Sequence, residues 1–429
     1  MRITVYGLWH LGSVTAACLA SAGRPTVGLD LDESVVADLN RGKPPLFEPG
    51  LAERIGAGLA SGRLSFTSRP DEALGSADVV WVTFDTPVDD HDQADVGHVR
   101  RRLDAVVDAI RPGALVLVSS QLPVGFVRSL ERDWSGRRLR FACSPENLRL
   151  GKALDSFEHP ERVVVGVADE ADRPLLAALF GPFCPRIEWM SIESAEMTKH
   201  ALNAFLATSV AFINELARLC EAVGADAKQV ERGLKSDGRI GPRAYLSPGA
   251  AFAGGTLARD LRFLAGSGRS HRTATPLVDG VLASNRVHEE WLHDRLHDML
   301  RDVDGSIAAV LGLTYKPGTS TLRRSASVEL CSWLSERGVR VQAHDPAIGG
   351  LPEELRGSVR LCRSPLEAIT GADIAVVATE WPDYRSLAAD DFVKAMRRPR
   401  VVDPGWFLAD ALGHDPRIVY AAPGRPARG

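Results

Sequence analysis

From Ser191 to Ala225 the chain contains no proline, and no glycine before Gly224. By length and composition that stretch is one long helix, of the kind that links two domains. The chain has the same pattern on both sides of it. Upstream, short apolar runs at Arg2–Tyr6, Val27–Asp30, Val79–Thr83, Ala114–Ser119, Phe141–Cys143 and Arg162–Val167 alternate with helical stretches such as Ser13–Ala22 and Val99–Ile110. Downstream, after a helical run over Pro276–Arg301, strand patterns recur from Ser306, over Val339–His344, over Ile374–Thr379 and over Arg400–Asp403. Alternation of this kind predicts doubly wound parallel sheets. The expected fold is therefore α/β, with two such sheets and a helical middle.

Bulk composition narrows the class. Of 429 residues, 45% are apolar and 25% charged, as in ordinary soluble domains. With a net charge of -4, nothing argues for a nucleic-acid surface. None of the six cysteines forms a C-x-x-C pair, and no H-E-x-x-H is present, so buried thiols in a reducing cytosol are expected and a metal site is not. The chain opens on a strand, without a signal peptide, and no apolar run reaches the ~20 residues needed to span a bilayer. A cytoplasmic protein without a membrane partner is the expectation. The tail after Pro416, rich in Pro, Gly and Arg, reads as frayed.

After the first strand comes G-L-W-H-L-G, a degenerate form of the dinucleotide fingerprint G-x-G-x-x-G. Gly7 and Gly12 are kept, and Trp9 takes the second glycine position, where either its side chain points away from a pyrophosphate or the cofactor sits slightly differently. With His10 and Leu11 they form the expected cofactor turn. Asp30, 18 residues after Gly12, suits an adenosine ribose and repels a 2′-phosphate, which favours NAD over NADP. This makes the first domain Rossmann-like. The expected boundaries are 1–190 for the NAD-binding domain, 191–300 for the helical middle and 301–429 for a second Rossmann-like domain.

Several further motifs occur in one order. Val82–Val88 reads V-T-F-D-T-P-V; Ser119–Gly125, S-S-Q-L-P-V-G; Ser144–Gly151, S-P-E-N-L-R-L-G. Ala195–Ala204 reads A-E-M-T-K-H-A-L-N-A; Gly238–Pro242, G-R-I-G-P; Pro248–Asp260, P-G-A-A-F-A-G-G-T-L-A-R-D; Gly312–Ser325, G-L-T-Y-K-P-G-T-S-T-L-R-R-S. Together they resemble the UDP-glucose/GDP-mannose dehydrogenase family from residue 2 to about 405. The resemblance implies an NAD-dependent oxidoreductase acting on a nucleotide-activated sugar, a third domain that binds the nucleotide sugar, and a homodimer formed through the helical middle. It implies cofactor contacts at Thr86, Pro87, Gln121 and Arg323. It implies substrate contacts at Asn147, Leu148, Phe252, Gly255, Arg259, Tyr315 and Lys316, with Arg239 reaching a neighbouring subunit's site. It implies catalytic roles for Glu146, Lys199, Asn203 and Asp260. Lys199 and Asn203, four apart, face one side of the helix.

The active-site loop departs from the family pattern P-G-x-G-F-G-G-S-C-x-P-K-D. Thr256 stands where the family carries its cysteine nucleophile, and Arg259 where it carries lysine. Gln121 replaces a threonine and Leu150 a second glutamate. A threonine hydroxyl has no thiolate form to attack an aldehyde. The first reading is therefore a two-electron oxidation of a carbinol without a thioester or an acid product. A redox-neutral epimerase that retains NAD, and a catalytically silent nucleotide-sugar binder, are the alternatives. A fourth reading keeps the acid-forming chemistry with a thiol from elsewhere, such as Cys143.

Overall fold

The computed structural model describes residues 1–89, 94–146, 148–252, 256–300, 305–322 and 325–426. Its first sheet comprises β1 (Ile3–Tyr6), β2 (Thr26–Leu29), β3 (Leu64–Thr67), β4 (Val79–Val82), β5 (Leu115–Val118), β6 (Arg140–Cys143), β7 (Val163–Val167) and β8 (Ile187–Ser191), in the order β3-β2-β1-β4-β5-β6-β7-β8. The second comprises β9 (Ile307–Leu311), β10 (Arg340–His344), β11 (Val359–Leu361), β12 (Ile374–Val377), β13 (Arg400–Val402) and β14 (Val419–Ala421), in the order β11-β10-β9-β12-β13-β14. β4 and β5 read as unbroken apolar runs because both faces of the sheet are covered. Val79, Trp81, Leu115 and Leu117 join one buried cluster, and Val80, Val82, Val116 and Val118 the other. One pair departs from the parallel expectation: β7 runs antiparallel to β6. An antiparallel neighbour needs no full crossover, so β7 starts at the end of the sheet where β6 finishes.

The long helix spans Ile192–Val223 and starts on the residue after β8. The Ser191 hydroxyl accepts the Ser194 N–H, which caps its start. Gly224, at φ +74°, ends it, and the Ala225 N–H folds back to the Cys220 carbonyl. The chain divides into two compact units, Met1–Leu202 with Arg262–Thr273, and Asn203–Leu261 with Ala274–Gly429. Among the described residues no helix is long and apolar enough to cross a membrane.

Each unit carries the same latch at the start of its sheet. Gly7 (φ +99°) donates to Leu29 O, and Gly312 (φ +97°) donates to His344 O. The next N–H, of Leu8 or Leu313, is held by an aspartate just beyond the second strand, Asp30 at 2.9 Å or Asp345 at 2.8 Å. A further aspartate, Asp78 or Asp373, accepts an N–H at the start of the first strand and pairs with Arg111 or Arg397. A side chain at either glycine would collide, with the Phe84 ring at Gly7 and with Thr379 at Gly312.

The tail differs from expectation. Ile418, Tyr420 and Ala422 are buried, and β14 pairs in parallel with β13. The Gly424 N–H then donates to Glu221 at 2.7 Å, and its carbonyl accepts the Ala227 N–H at 2.9 Å. Alternating burial around a three-residue strand is too short a signal to outweigh the surrounding Pro and Gly.

Candidate functional site

In the first unit the fingerprint turn leads into the helix His10–Ser21. That helix has no side-chain cap at its start and no acidic residue in its first turn, so its leading N–H groups are available to an anion. Gly12 must be glycine, since a Cβ there would lie 1.8 Å from Gly7 O. Trp9 has φ -75° and ψ -150°, a conformation open to any residue, and its side chain is 47% exposed. Leu11 is buried. The His10 ring is engaged within the protein: Nε2 lies 2.9 Å from Glu48 Oε2. The buried Glu48 carboxylate also accepts the N–H groups of Gly151 and Ala153. Nothing in the spacing marked Glu48. Asp30 accepts the N–H groups of Leu8 and Asp32.

At the carboxyl end of β5, the Thr86 hydroxyl donates to the carbonyl of buried Gln121, and the Pro87 carbonyl accepts the Asp95 N–H. This loop is held from the long helix. Glu196 accepts the N–H groups of Gly125 and Val127, at 2.6 and 3.0 Å, and His200 Nε2 lies 2.9 Å from Leu122 O. Burial raises the Glu196 carboxyl above the usual carboxylate range. Between these two residues Lys199, largely buried, points its Nζ to within 3.9 Å of Glu146 Oε1. The other oxygen of Glu146 accepts the N–H of half-buried Leu148. Cys143 is buried nearby, and desolvation together with Glu196 pushes its thiol well above the ordinary value. It is therefore a poor source of thiolate. All six cysteines are buried.

In the second unit Asn203 donates its side-chain amide to Asp260, and both are buried. Asp260 stands in the first turn of the helix Leu257–Ser270 and donates its N–H to the carbonyl of exposed Thr256. Arg259, half-buried, is on the same turn. The segment leading to Thr256 is clamped by side chains that the motifs did not flag. Asn214 accepts the Gly249 N–H and donates to Ala250 O. Asn285 both accepts from and donates to the backbone of buried Phe252. His288 Nε2 lies 2.8 Å from Gly249 O. All three are buried polar residues on two helices, the long helix and Pro276–Leu300. Arg239 is exposed and pairs with Asp237 two residues before it. Tyr315 is exposed, with its N–H on Thr321 O, and the Lys316 carbonyl accepts the Thr319 hydroxyl. Asn147, Gly255 and Arg323 lie outside the described residues. Among those described, no cluster of three or more His, Cys, Asp or Glu is arranged to hold a metal ion.

Residues 1–184, 193–287 and 309–409 match, in turn, the NAD binding domain, the central domain and the UDP binding domain of the UDP-glucose/GDP-mannose dehydrogenase family. A UDP-glucose 6-dehydrogenase of Pseudomonas aeruginosa is 35% identical, over 100% of this chain and 98% of that one. A UDP-glucose dehydrogenase structure from Pyrobaculum islandicum superposes with a TM-score of 0.84 at 31% identity, covering 95% of this chain and 94% of the other. A UDP-D-ManNAc dehydrogenase structure from Pyrococcus horikoshii gives 0.84 at 25% identity, covering 99% of each. The fingerprint turn fits NAD: two glycines with no room for a side chain, an uncapped helix start, and a carboxylate at the end of β2.

Proposed function

The chain belongs to the UDP-glucose/GDP-mannose dehydrogenase family, and on that footing we propose that it oxidises one carbinol of a UDP-sugar by two electrons and stops at the carbonyl. The observation that carries this reading is Thr256. It stands exposed at the start of a helix whose first turn carries Asp260, the partner of Asn203, where the family's acid-forming chemistry needs a thiolate. The UDP binding domain match and the names of the relatives favour uracil over guanine.

Bound NAD supplies the hydride acceptor. Lys199 donates to the carbinol oxygen as it loses its proton and gains negative charge. Glu146, beside the ammonium, fixes its position and receives or relays that proton. Asn203, one turn further along the same helix, and Asp260 orient the reacting hydroxyl or a water. Thr256 is a hydrogen-bonding group for the sugar and forms no covalent intermediate. Gln121 and Arg259 shape the pocket, Lys316 and Tyr315 hold the nucleotide of the sugar, and Arg323 contacts the cofactor.

Phe205, Phe212 and Leu219 recur every seven residues along the long helix and are exposed, as is Val223. A stripe at this spacing suits a two-fold contact with a second copy, so the functional form is a homodimer. Functionally the chain divides as NAD-binding 1–190, helical 191–300 and nucleotide-sugar-binding 301–429.

The test is incubation with NAD and a panel of UDP- and GDP-sugars, following reduced-nicotinamide absorbance and product mass together. One NADH per sugar and a product lighter by two hydrogens support the reading. A sugar acid overturns it. An isomerised sugar without net NADH replaces it with the epimerase.

A further inference from the structure

The Glu48 carboxylate belongs to neither of the two motifs that it binds. Its Oε2 lies 2.9 Å from Nε2 of His10, the first residue of the fingerprint helix, and accepts the Gly151 N–H at 2.9 Å. Its Oε1 accepts the Ala153 N–H at 2.7 Å. Gly151 ends the run Ser144–Gly151 that carries Glu146 and Leu148, and Ala153 starts the helix Ala153–Glu158 behind it. One carboxylate thus touches both the turn that fits NAD and the loop assigned to the sugar. The Glu48 side chain is 1% exposed and that of His10 14%, so water scarcely reaches the junction. Facing a group that accepts, Nε2 carries the proton, and all three contacts are donated to Glu48. Within the loop, Glu146 accepts the Leu148 N–H, and the Arg149 carbonyl accepts the Lys152 N–H. A shift at Gly151 is therefore carried along a short bonded turn to the side chain that faces Lys199.

We propose that Glu48 is a positioning residue: NAD fixes the His10 turn, and through Glu48 this tightens the loop that carries Glu146. The inference rests on the NAD reading and on the sugar-loop role proposed above. It is independent of whether the product is a carbonyl, an acid or an epimer. The leading N–H groups of the His10–Ser21 helix are the ones open to an anion, and His10 heads that helix. Ordering His10 orders the partner of its ring, and the two backbone groups bonded to that partner then have less freedom left to lose. By linkage, a loop ordered by the sugar favours NAD to the same degree.

The experiment follows amide hydrogen exchange in peptides spanning residues 148–153. It uses the full chain with and without saturating NAD, with no sugar present, and calorimetry sets saturation for each variant. In the unaltered protein NAD should slow this exchange at least about fivefold, the lower end of ordinary coupling between sites. His10→Ala should bind NAD and lose the slowing, because Glu48 keeps Gly151 and Ala153 but no longer reaches the turn. His10→Gln returns a side-chain N–H to Glu48 and should restore it. Glu48→Gln sets an amide where the Gly151 N–H needs an acceptor, and should also lose the slowing; it reports the link even if His10→Ala takes no NAD. The Arg54–Glu158 ion pair joins the helices Leu51–Ala60 and Ala153–Glu158 independently of Glu48, and unchanged melting temperatures will show that the variants are folded. A merely structural Glu48 would change exchange equally with and without NAD and leave their ratio alone. Slowing that persists in NAD-bound His10→Ala or Glu48→Gln overturns the proposal, as does its absence from the unaltered protein with NAD bound. Failure of the unaltered protein to bind NAD overturns it together with the cofactor assignment. A missing sugar substrate affects neither result.

Discussion

The side-chain amide of Asn203 donates to the carboxylate of Asp260, joining two helices whose bonded residues are 57 positions apart in the chain. Both groups are buried, so neither can exchange this partner for bulk water. Asn203→Ala should cost about 1–3 kcal/mol of stability, the usual penalty for removing one partner of a buried pair. Turnover should fall by about 100-fold, as for loss of one oriented group in a reacting site. NAD affinity, measured by calorimetry, should not change. A variant that loses NAD binding in proportion to turnover would place the pair outside the chemistry.

Thr256 is predicted to be dispensable as a nucleophile. Thr256→Ala should keep turnover within about tenfold, the loss expected for one hydrogen bond to substrate. Product mass should remain that of the carbonyl compound. A covalent sugar adduct trapped on Thr256 and detected by peptide mass mapping would refute this.

His288 gives a pH test. Burial, with Arg218 nearby, holds its ring below the ordinary histidine range, while its Nε2 bonds to Gly249 O. Because the folded value lies below the unfolded one, the unfolded chain binds the proton first. The stability contributed by the neutral ring is present above the ordinary value of about 6.5 and is lost as pH falls below it. His288→Gln keeps a side-chain N–H for the carbonyl and removes the titration. Its melting temperature should decline less steeply than that of the unaltered protein between neutral and mildly acidic pH. Parallel curves would mean the ring does not titrate in this window.

Gly424 should resist substitution. A Cβ would lie 2.2 Å from that of Ala227 and 2.9 Å from that of Ala217, and φ is +76°. Gly424→Ala should destabilise by about 1–3 kcal/mol through overpacking and backbone strain. Denaturant unfolding measures it, and an unchanged midpoint would show that the tail is not docked.

The layout of the two sheets was legible in the sequence because strands buried on both faces are unbroken apolar runs and the long helix lacks breakers. Lys199, Glu146 and the Asn203–Asp260 pair were legible because they sit inside motifs. Glu48, Glu196, Asn214, Asn285 and His288 were not. Each binds backbone groups far away in sequence, and a single buried polar residue on a helix or loop carries no local spacing that names its partner. The docked tail was missed for a related reason: its contacts are made by one glycine and a three-residue strand.

The two latches differ in what they leave over. Asp345 accepts the N–H groups of Leu313, Thr314 and Ala347, the Thr314 hydroxyl and the Trp381 indole N–H. Asp30 accepts two backbone N–H groups. A carboxylate offers about four lone-pair directions, so Asp345 is saturated by its own protein while Asp30 retains capacity for a ribose. The same device thus has spare acceptor capacity in one half and none in the other. At the place where the first turn offers a dinucleotide the Asp30 carboxylate, the second turn offers one that its own protein already occupies.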